Sequence, residues 1–198
     1  MKLDIIFAGV GGQGIVMLSD IFCEAALLDG FDVTKAEIHG MAQRGGSIIA
    51  YARINDKVET PLIETGKADA IIGFEVLETT RTLHMLKPAG TVVVNTKHIP
   101  PSNFTKNNNN NKPKTTQELL NIIKSYAQTV HEIDGTNIAK QVGNKLVVNT
   151  ILLGALSALN TMPIKQDSFK KAMTNKLKEK HLQVNLQSFE LGRQSVLK

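Results

Sequence analysis

The stretch Leu3-Asp4-Ile5-Ile6-Phe7-Ala8-Gly9-Val10-Gly11-Gly12-Gln13-Gly14 decides the fold. Its first half is a short apolar run ending in glycines, which predicts a buried parallel strand over residues 3–8. Gly9, Gly11 and Gly14 follow in G-x-G-x-x-G spacing. A turn of that kind lets backbone N–H groups and a helix N-terminus approach an anion with no Cβ in the way. It also serves as a plain packing turn, so alone it does not choose between ligand and structure. A helix from about Gln13 to Leu28 fits the recurrence of Leu18, Ile21, Phe22 and Ala25 at i, i+3, i+4 and i+7, with Gly30 as its stop. Phe31 to Ile38 reads as the second strand.

That strand runs into a second glycine-rich segment, His39-Gly40-Met41-Ala42-Gln43-Arg44-Gly45-Gly46. The guanidinium of Arg44 and the exposed backbone around Gly45 and Gly46 suit a bidentate phosphate or carboxylate. Gln43 belongs to the same loop, Met41 offers an apolar wall, and His39 either orients the loop or touches a ligand. Both glycine loops follow strands expected to run parallel, which places them together at the carboxyl edge of the sheet, where open α/β folds bind ligands. A nicotinamide dinucleotide fits poorly. Asp32 begins its strand and points from the wrong edge, while Glu37 comes late and is followed by His39-Gly40 instead of a helix.

Residues 47–54 are β-rich and follow too closely for a crossover helix, so their strand is expected antiparallel to its neighbour and the sheet mixed. Further strands are expected at Asp69–Phe74, Thr91–Asn95 and Val130–Ile133. A helix from about Glu75 to Leu86 is expected to stop at Lys87-Pro88-Ala89-Gly90. Glu75 sits at the same sheet edge as the glycine loops and can face a ligand or cap that helix. Residues 96–114, with Pro100-Pro101 and five asparagines at Asn107–Asn111, predict a mobile surface loop. A helix is expected over Thr116–Tyr126. Lys145–Leu159 is apolar nearly all round, which suits a core or a subunit interface, and two amphipathic helices end the chain. The expectation is a single three-layer, Rossmann-like α/β domain over residues 1–198, with a mixed, mostly parallel sheet and C-terminal helices.

Composition narrows the chemistry. Hydrophobic content of 42% and charged content of 21% are those of a globular chain of 198 residues. One cysteine, Cys23, cannot build a disulfide, a structural zinc site or an iron–sulfur cluster. No stretch is long enough for a membrane span and the N-terminus carries no secretion signal, so a cytoplasmic location is expected. Residues 1–100 hold 9 Lys/Arg against 12 Asp/Glu, or −3; residues 101–198 hold 14 against 6, or +8. That basic half suits an anionic ligand or partner. Nucleic acid is disfavoured, because Trp is absent and no aromatics interleave with the basic residues. No catalytic set is visible: no Ser-His-Asp arrangement, no H-E-x-x-H, no Walker loop and no metal cluster.

Gly9-Val10-Gly11-Gly12-Gln13-Gly14 resembles the G-x-G-G-Q-G opening of the gamma-type subunits of the 2-oxoacid:ferredoxin oxidoreductase family. Glu37-Ile38-His39-Gly40-Met41-Ala42-Gln43-Arg44-Gly45-Gly46-Ser47 resembles its indolepyruvate branch, and the segments 68–75 and 87–90 also fit. The resemblance implies oxidative decarboxylation of a 2-oxoacid to an acyl-CoA with electrons passed to ferredoxin. It implies thiamine diphosphate and 4Fe-4S clusters on a larger alpha subunit, and coenzyme A contacts on this chain, within a hetero-oligomer. Gly9–Gly14 and Gly40–Gly46 with Arg44 become the candidate coenzyme A loops. The alternative is a stand-alone Rossmann-like nucleotide-binding or regulatory module.

Overall fold

A computed structural model describes residues 2–40, 45–99 and 113–197. Strand β1 (Leu3–Val10) is buried along nearly its whole length, because it lies third in a six-stranded sheet of order β2-β3-β1-β4-β5-β6. The other strands are β2 (Asp32–His39), β3 (Ser47–Asn55), β4 (Ala68–Gly73), β5 (Leu86–Asn95) and β6 (Thr129–Ile133). Pairing is parallel from β1 through β4 and β5 to β6. Only β3 is reversed, antiparallel to both β1 and β2. The mixed sheet therefore follows as expected, with the short connection from β2 to β3 forcing a hairpin.

Helices cover both faces. On one side, α1 (Ile15–Leu28), α4 (Gly135–Val142), α5 (Val148–Ser157), α6 (Gln166–Lys176) and α7 (Glu179–Val196) enclose Leu3, Ile5 and Phe7 of β1. On the other, α2 (Val76–Thr82) and α3 (Thr116–Tyr126) cover Ile6, Ile71 and Val92. Alternation along each strand feeds both cores. A line of rings, Phe7–Phe22–Phe169–Phe189, crosses the larger layer with centroid separations of 5.7, 6.3 and 6.0 Å. Such offset and tilted contacts add to the area buried. No helix among the described residues is long and apolar enough to cross a membrane.

The all-apolar segment resolves as a core helix. A 3₁₀ turn at Lys145–Val147 leads into α5, which lies against α7. Their backbones nearly touch: a Cβ on Gly154 would sit 2.0 Å from the Phe189 carbonyl oxygen, and one on Gly192 1.9 Å from that of Ile151.

Two expectations need correction, and one helix is new. Helix α2 ends at Thr82, followed by a 3₁₀ turn over Leu83–Met85. Lys87-Pro88-Ala89-Gly90 does not stop a helix but lies inside β5, where pairing jumps from Ala68↔Leu86 to Ala70↔Thr91. The extra residues form a bulge, with Ala89 at φ 67°. Helix α4, capped by Asp134 on the Asn137 N–H, was not anticipated. Of the asparagine-rich stretch, residues 100–112 lie outside the described residues.

Gly192→Ala is expected to cost about 3 kcal/mol through overpacking at the α5–α7 contact. The urea midpoint should fall at unchanged slope; an unaltered midpoint would mean the two helices can separate freely.

Candidate functional site

Where β1 ends, the chain turns through Gly11 and Gly12 into α1. The Gly11 N–H donates to the Gly46 carbonyl at 2.9 Å, so the two glycine segments do meet at one rim. Gly45 is beside them, its nitrogen 3.9 Å from where a Gly11 Cβ would stand. Gly14 occupies the N-cap of α1 at φ 78°, a left-handed conformation that glycine adopts without strain. No side chain caps α1 and no acid occupies its first turn. Its N–H groups and positive dipole end are therefore open to an anion.

Gln13 works as a staple. Its Oε1 accepts from the Val10 N–H at 2.7 Å, and its Nε2 donates to the Phe74 carbonyl at 3.2 Å. That same carbonyl accepts from Asn95 Nδ2 at 3.1 Å, while Asn95 Oδ1 takes the Gly135 N–H at 3.2 Å. The carboxyl ends of β1, β4 and β5 and the start of α4 are thereby joined.

Glu75 proves to be a buried anchor. One carboxylate oxygen caps α2 on the Glu78 N–H at 2.9 Å and the other accepts from the Ile99 N–H at 2.8 Å. It is fully buried and does not line the cleft described next. The expectation of a ligand-facing Glu75 is corrected to the capping role, since both oxygens are occupied by backbone donors. Gly9 is likewise interior: a Cβ there would meet Gln13 Oε1 at 2.6 Å and Phe74 Cβ at 2.7 Å.

A cleft of about 400 Å³ opens beside the turn, bordered by Gly12, Gly14, Met17, Lys97, Lys145 and Asn149. Its volume is within the range of small-molecule sites. Lys97 stands on the segment that Glu75 anchors, and its carbonyl accepts from the Val76 N–H at 3.0 Å. Neither Lys97 nor Lys145 has an acidic partner among the described residues. At the opposite edge of the sheet, by contrast, a cleft of about 280 Å³ has its cations already engaged. Arg53 binds buried Asp4 through Nε at 2.9 Å and Nη2 at 3.2 Å, and gives Nη1 to the Thr60 and Leu62 carbonyls. Lys57 there is paired with Glu59. Of the two clefts, the one at the carboxyl edge is thus the one whose lysines lack acidic partners among the described residues.

His39 ends β2, two strands away from β1, Gly40 follows it, and neither lines the cleft. Gly40 donates to the Ser47 carbonyl at 2.7 Å. His39 Nε2 lies 3.1 Å from Glu37 Oε2, and Lys35 joins Glu37 at 2.6 Å and also Asp20. The Lys35 hydrogen bond holds the Glu37 carboxyl below its usual range, with His39 adding to the effect. Met41, Gln43 and Arg44 lie outside the described residues. Burial pushes the Cys23 thiol up to about 12, so it is no nucleophile at neutral pH.

The cleft lysines were not singled out in the sequence, and Asn149 was read there only as a hydrogen-bonded core or interface group. Lys97 lies two residues past the end of β5, at the same edge as Glu75. Lys145 and Asn149 are polar residues at the start of an otherwise apolar helix. Those were the available signals.

The family model for pyruvate ferredoxin/flavodoxin oxidoreductase matches residues 4–195. The chain belongs to this family. It is 34% identical over 192 residues to the indolepyruvate oxidoreductase subunit IorB of Thermococcus kodakarensis, covering 96% of this chain and 94% of that one. Its fold matches the keto/oxoacid ferredoxin oxidoreductase gamma subunit of Geobacter sulfurreducens, with a TM-score of 0.72, 23% identity and 98% of each chain covered. It also matches the 2-oxoglutarate:ferredoxin oxidoreductase of Magnetococcus marinus, solved with 2-oxoglutarate, coenzyme A and succinyl-CoA bound. There the TM-score is 0.74 at 21% identity, over 99% of this chain and 31% of that longer one. This family member is an oxidoreductase subunit and not a free-standing nucleotide-binding module.

Two outcomes test this geometry. Gln13→Ala should remove about 1–2 kcal/mol of stability and speed hydrogen exchange at the Val10 amide; an unaltered Val10 rate would show that the staple is not formed in solution. The lowered Glu37 pKa stabilises the fold fully at neutral pH, a contribution lost as the pH falls below about 4. Lys35→Met should therefore flatten the acid limb of a stability–pH profile and move the Glu37 titration up towards the ordinary carboxylate range by NMR, with His39 keeping part of the lowering.

Proposed function

We propose that this chain, as one gamma-type domain, is a subunit of an arylpyruvate:ferredoxin oxidoreductase, and that its carboxyl-edge cleft holds a phosphate-bearing part of coenzyme A. The observation carrying this reading is the uncapped N-terminus of α1 opening between Lys97 and Lys145, neither of which has an acidic partner among the described residues. Backbone N–H groups and ammonium groups are the donors a diphosphate requires, and no carboxylate competes for them among the cleft's lining residues. The coenzyme A bound in the Magnetococcus enzyme of like fold supports the choice of ligand. The indolepyruvate relative, together with the 37–47 segment, supports an aromatic 2-oxoacid.

In this reading the larger alpha subunit carries thiamine diphosphate and the 4Fe-4S clusters, and the complex works in the cytoplasm. Bound on that subunit, thiamine diphosphate would supply the means of breaking the bond to the leaving CO2, and the clusters would supply an acceptor for the two electrons released. The part of this chain is positional. The α1 N-terminus with Lys97 and Lys145 holds the anionic tail, and Met17 and Leu146 give it an apolar flank. Gln13, Asn95 and Glu75 keep the three strand ends rigid beneath it. A thiol tethered this way attacks as a neighbour and not as a diffusing reagent, an advantage of several kcal/mol in barrier.

In the assembled two-subunit enzyme, Lys145→Ala and Lys97→Ala should each raise the KM for coenzyme A about tenfold, the worth of one charge-assisted contact. The KM for the 2-oxoacid should hold. Coenzyme A kinetics indistinguishable from wild type in both variants would refute the site.

A further inference from the structure

Across the ridge formed by Met17, Leu146 and Asn149 lies a second cleft, of about 350 Å³. Lys176, Lys178 and His181 border it where α6 gives way to α7, and Leu177 and Val147 provide its apolar lining. No side chain caps α7, although Glu179 stands in its first turn. Lys178 has no acidic partner among the described residues, and Lys176 has only a long contact of 3.6 Å to Glu24.

Asn149 stands in the wall that both clefts share and is only 7% exposed. Its Oδ1 accepts from the Thr150 N–H at 2.9 Å, but among the described residues its Nδ2 finds only the Met17 thioether at 3.9 Å. Sulfur of that kind is a weak acceptor, and a buried amide seldom goes without a good one. An acceptor-rich ligand lying across the ridge meets that need. Asn144 adds a second amide to the far cleft: its Oδ1 takes the Leu146 N–H at 3.0 Å, and its amino group has no partner among the described residues. Leu146, 85% exposed, and Met17 give the crossing an apolar surface. Cations at both ends, an apolar middle and amide donors along the wall describe a ligand with two anionic groups joined by a less polar stem.

We propose that the two clefts form one trough, and that the far cleft seats the 3′-phosphoadenosine end of coenzyme A. Lys176 and Lys178 meet the 3′-phosphate, Leu177 and Val147 lie against the purine, and the diphosphate stays at the α1 N-terminus. This rests on the coenzyme A reading above and adds a residue-level seat for one half of the molecule.

The test compares coenzyme A with 3′-dephospho-coenzyme A in the assembled oxidoreductase, with 3′,5′-ADP as a competitive inhibitor. Wild type should show a KM about tenfold higher for the dephospho form, again one charge-assisted contact. In the Lys176→Ala/Lys178→Ala double variant that ratio should fall towards one, and 3′,5′-ADP should inhibit correspondingly less. Lys124→Ala, on the opposite face of the sheet, should keep the wild-type ratio. Equal KM values for the two thiols in wild type, or an unchanged ratio in the double variant, would overturn the seat. If Lys145→Ala still raises the coenzyme A KM, only this seat fails; if it does not, the reading beneath it fails too.

Discussion

The carbonyl of Phe74 is the point on which the carboxyl edge depends. It receives Gln13 from the β1 turn and Asn95 from the end of β5, using both of its lone pairs. Strand ends in a parallel sheet run out of ladder partners at this place, and two side-chain amides supply what the backbone no longer can. The next residue, Glu75, draws in the segment bearing Lys97 and Ile99. Loops that would otherwise be loose are held on a buried polar frame, and the cleft is defined by the frame more than by its own lining.

Charge then decides which edge of the sheet matters. Both edges carry basic residues and a concavity. At the amino edge, Asp4 and backbone carbonyls consume the guanidinium of Arg53, a buried pair whose Coulomb gain goes to offset its own desolvation. At the carboxyl edge the ammonium groups of Lys97 and Lys145 have no acidic partner among the described residues and sit with a helix dipole of the same sign. Like charges held together without a counter-ion are unfavourable until an anion arrives. On the proposed reading, in which the redox cofactors sit on another polypeptide, holding and presenting a charged tail is a sufficient task.

Much of the architecture was legible because it rests on short-range pattern. The apolar run before Gly9, the 3.6-residue repeat of α1 and the brevity of the Gly40–Gly46 connection dictate β1, α1 and the reversed β3. The same logic brought Gly11 beside Gly46. Lys87–Gly90 misled because Lys-Pro-Ala-Gly has the composition of a helix stop, yet pairing with β4 absorbed it as a bulge. Helix α4 is short and opens on Gly135-Thr136-Asn137, residues of low helix propensity, so its stability comes from packing. Glu75 was placed at the right edge, but which way a carboxylate turns depends on donors 3 and 24 positions away in sequence. Lys97, Lys145 and Asn149 are brought together only by the completed fold, and no local spacing announces them.

The bare-backbone contact between α5 and α7 sets a rule of phase. Gly154 must face the backbone around Phe189, and Gly192 that of Ile151. One inserted residue within α7 would turn everything beyond it by about 100° and present a branched or bulky group where hydrogen now fits. Length changes are therefore confined to the turns on either side of α6, while the last helix keeps its rotational setting as a gear keeps its teeth.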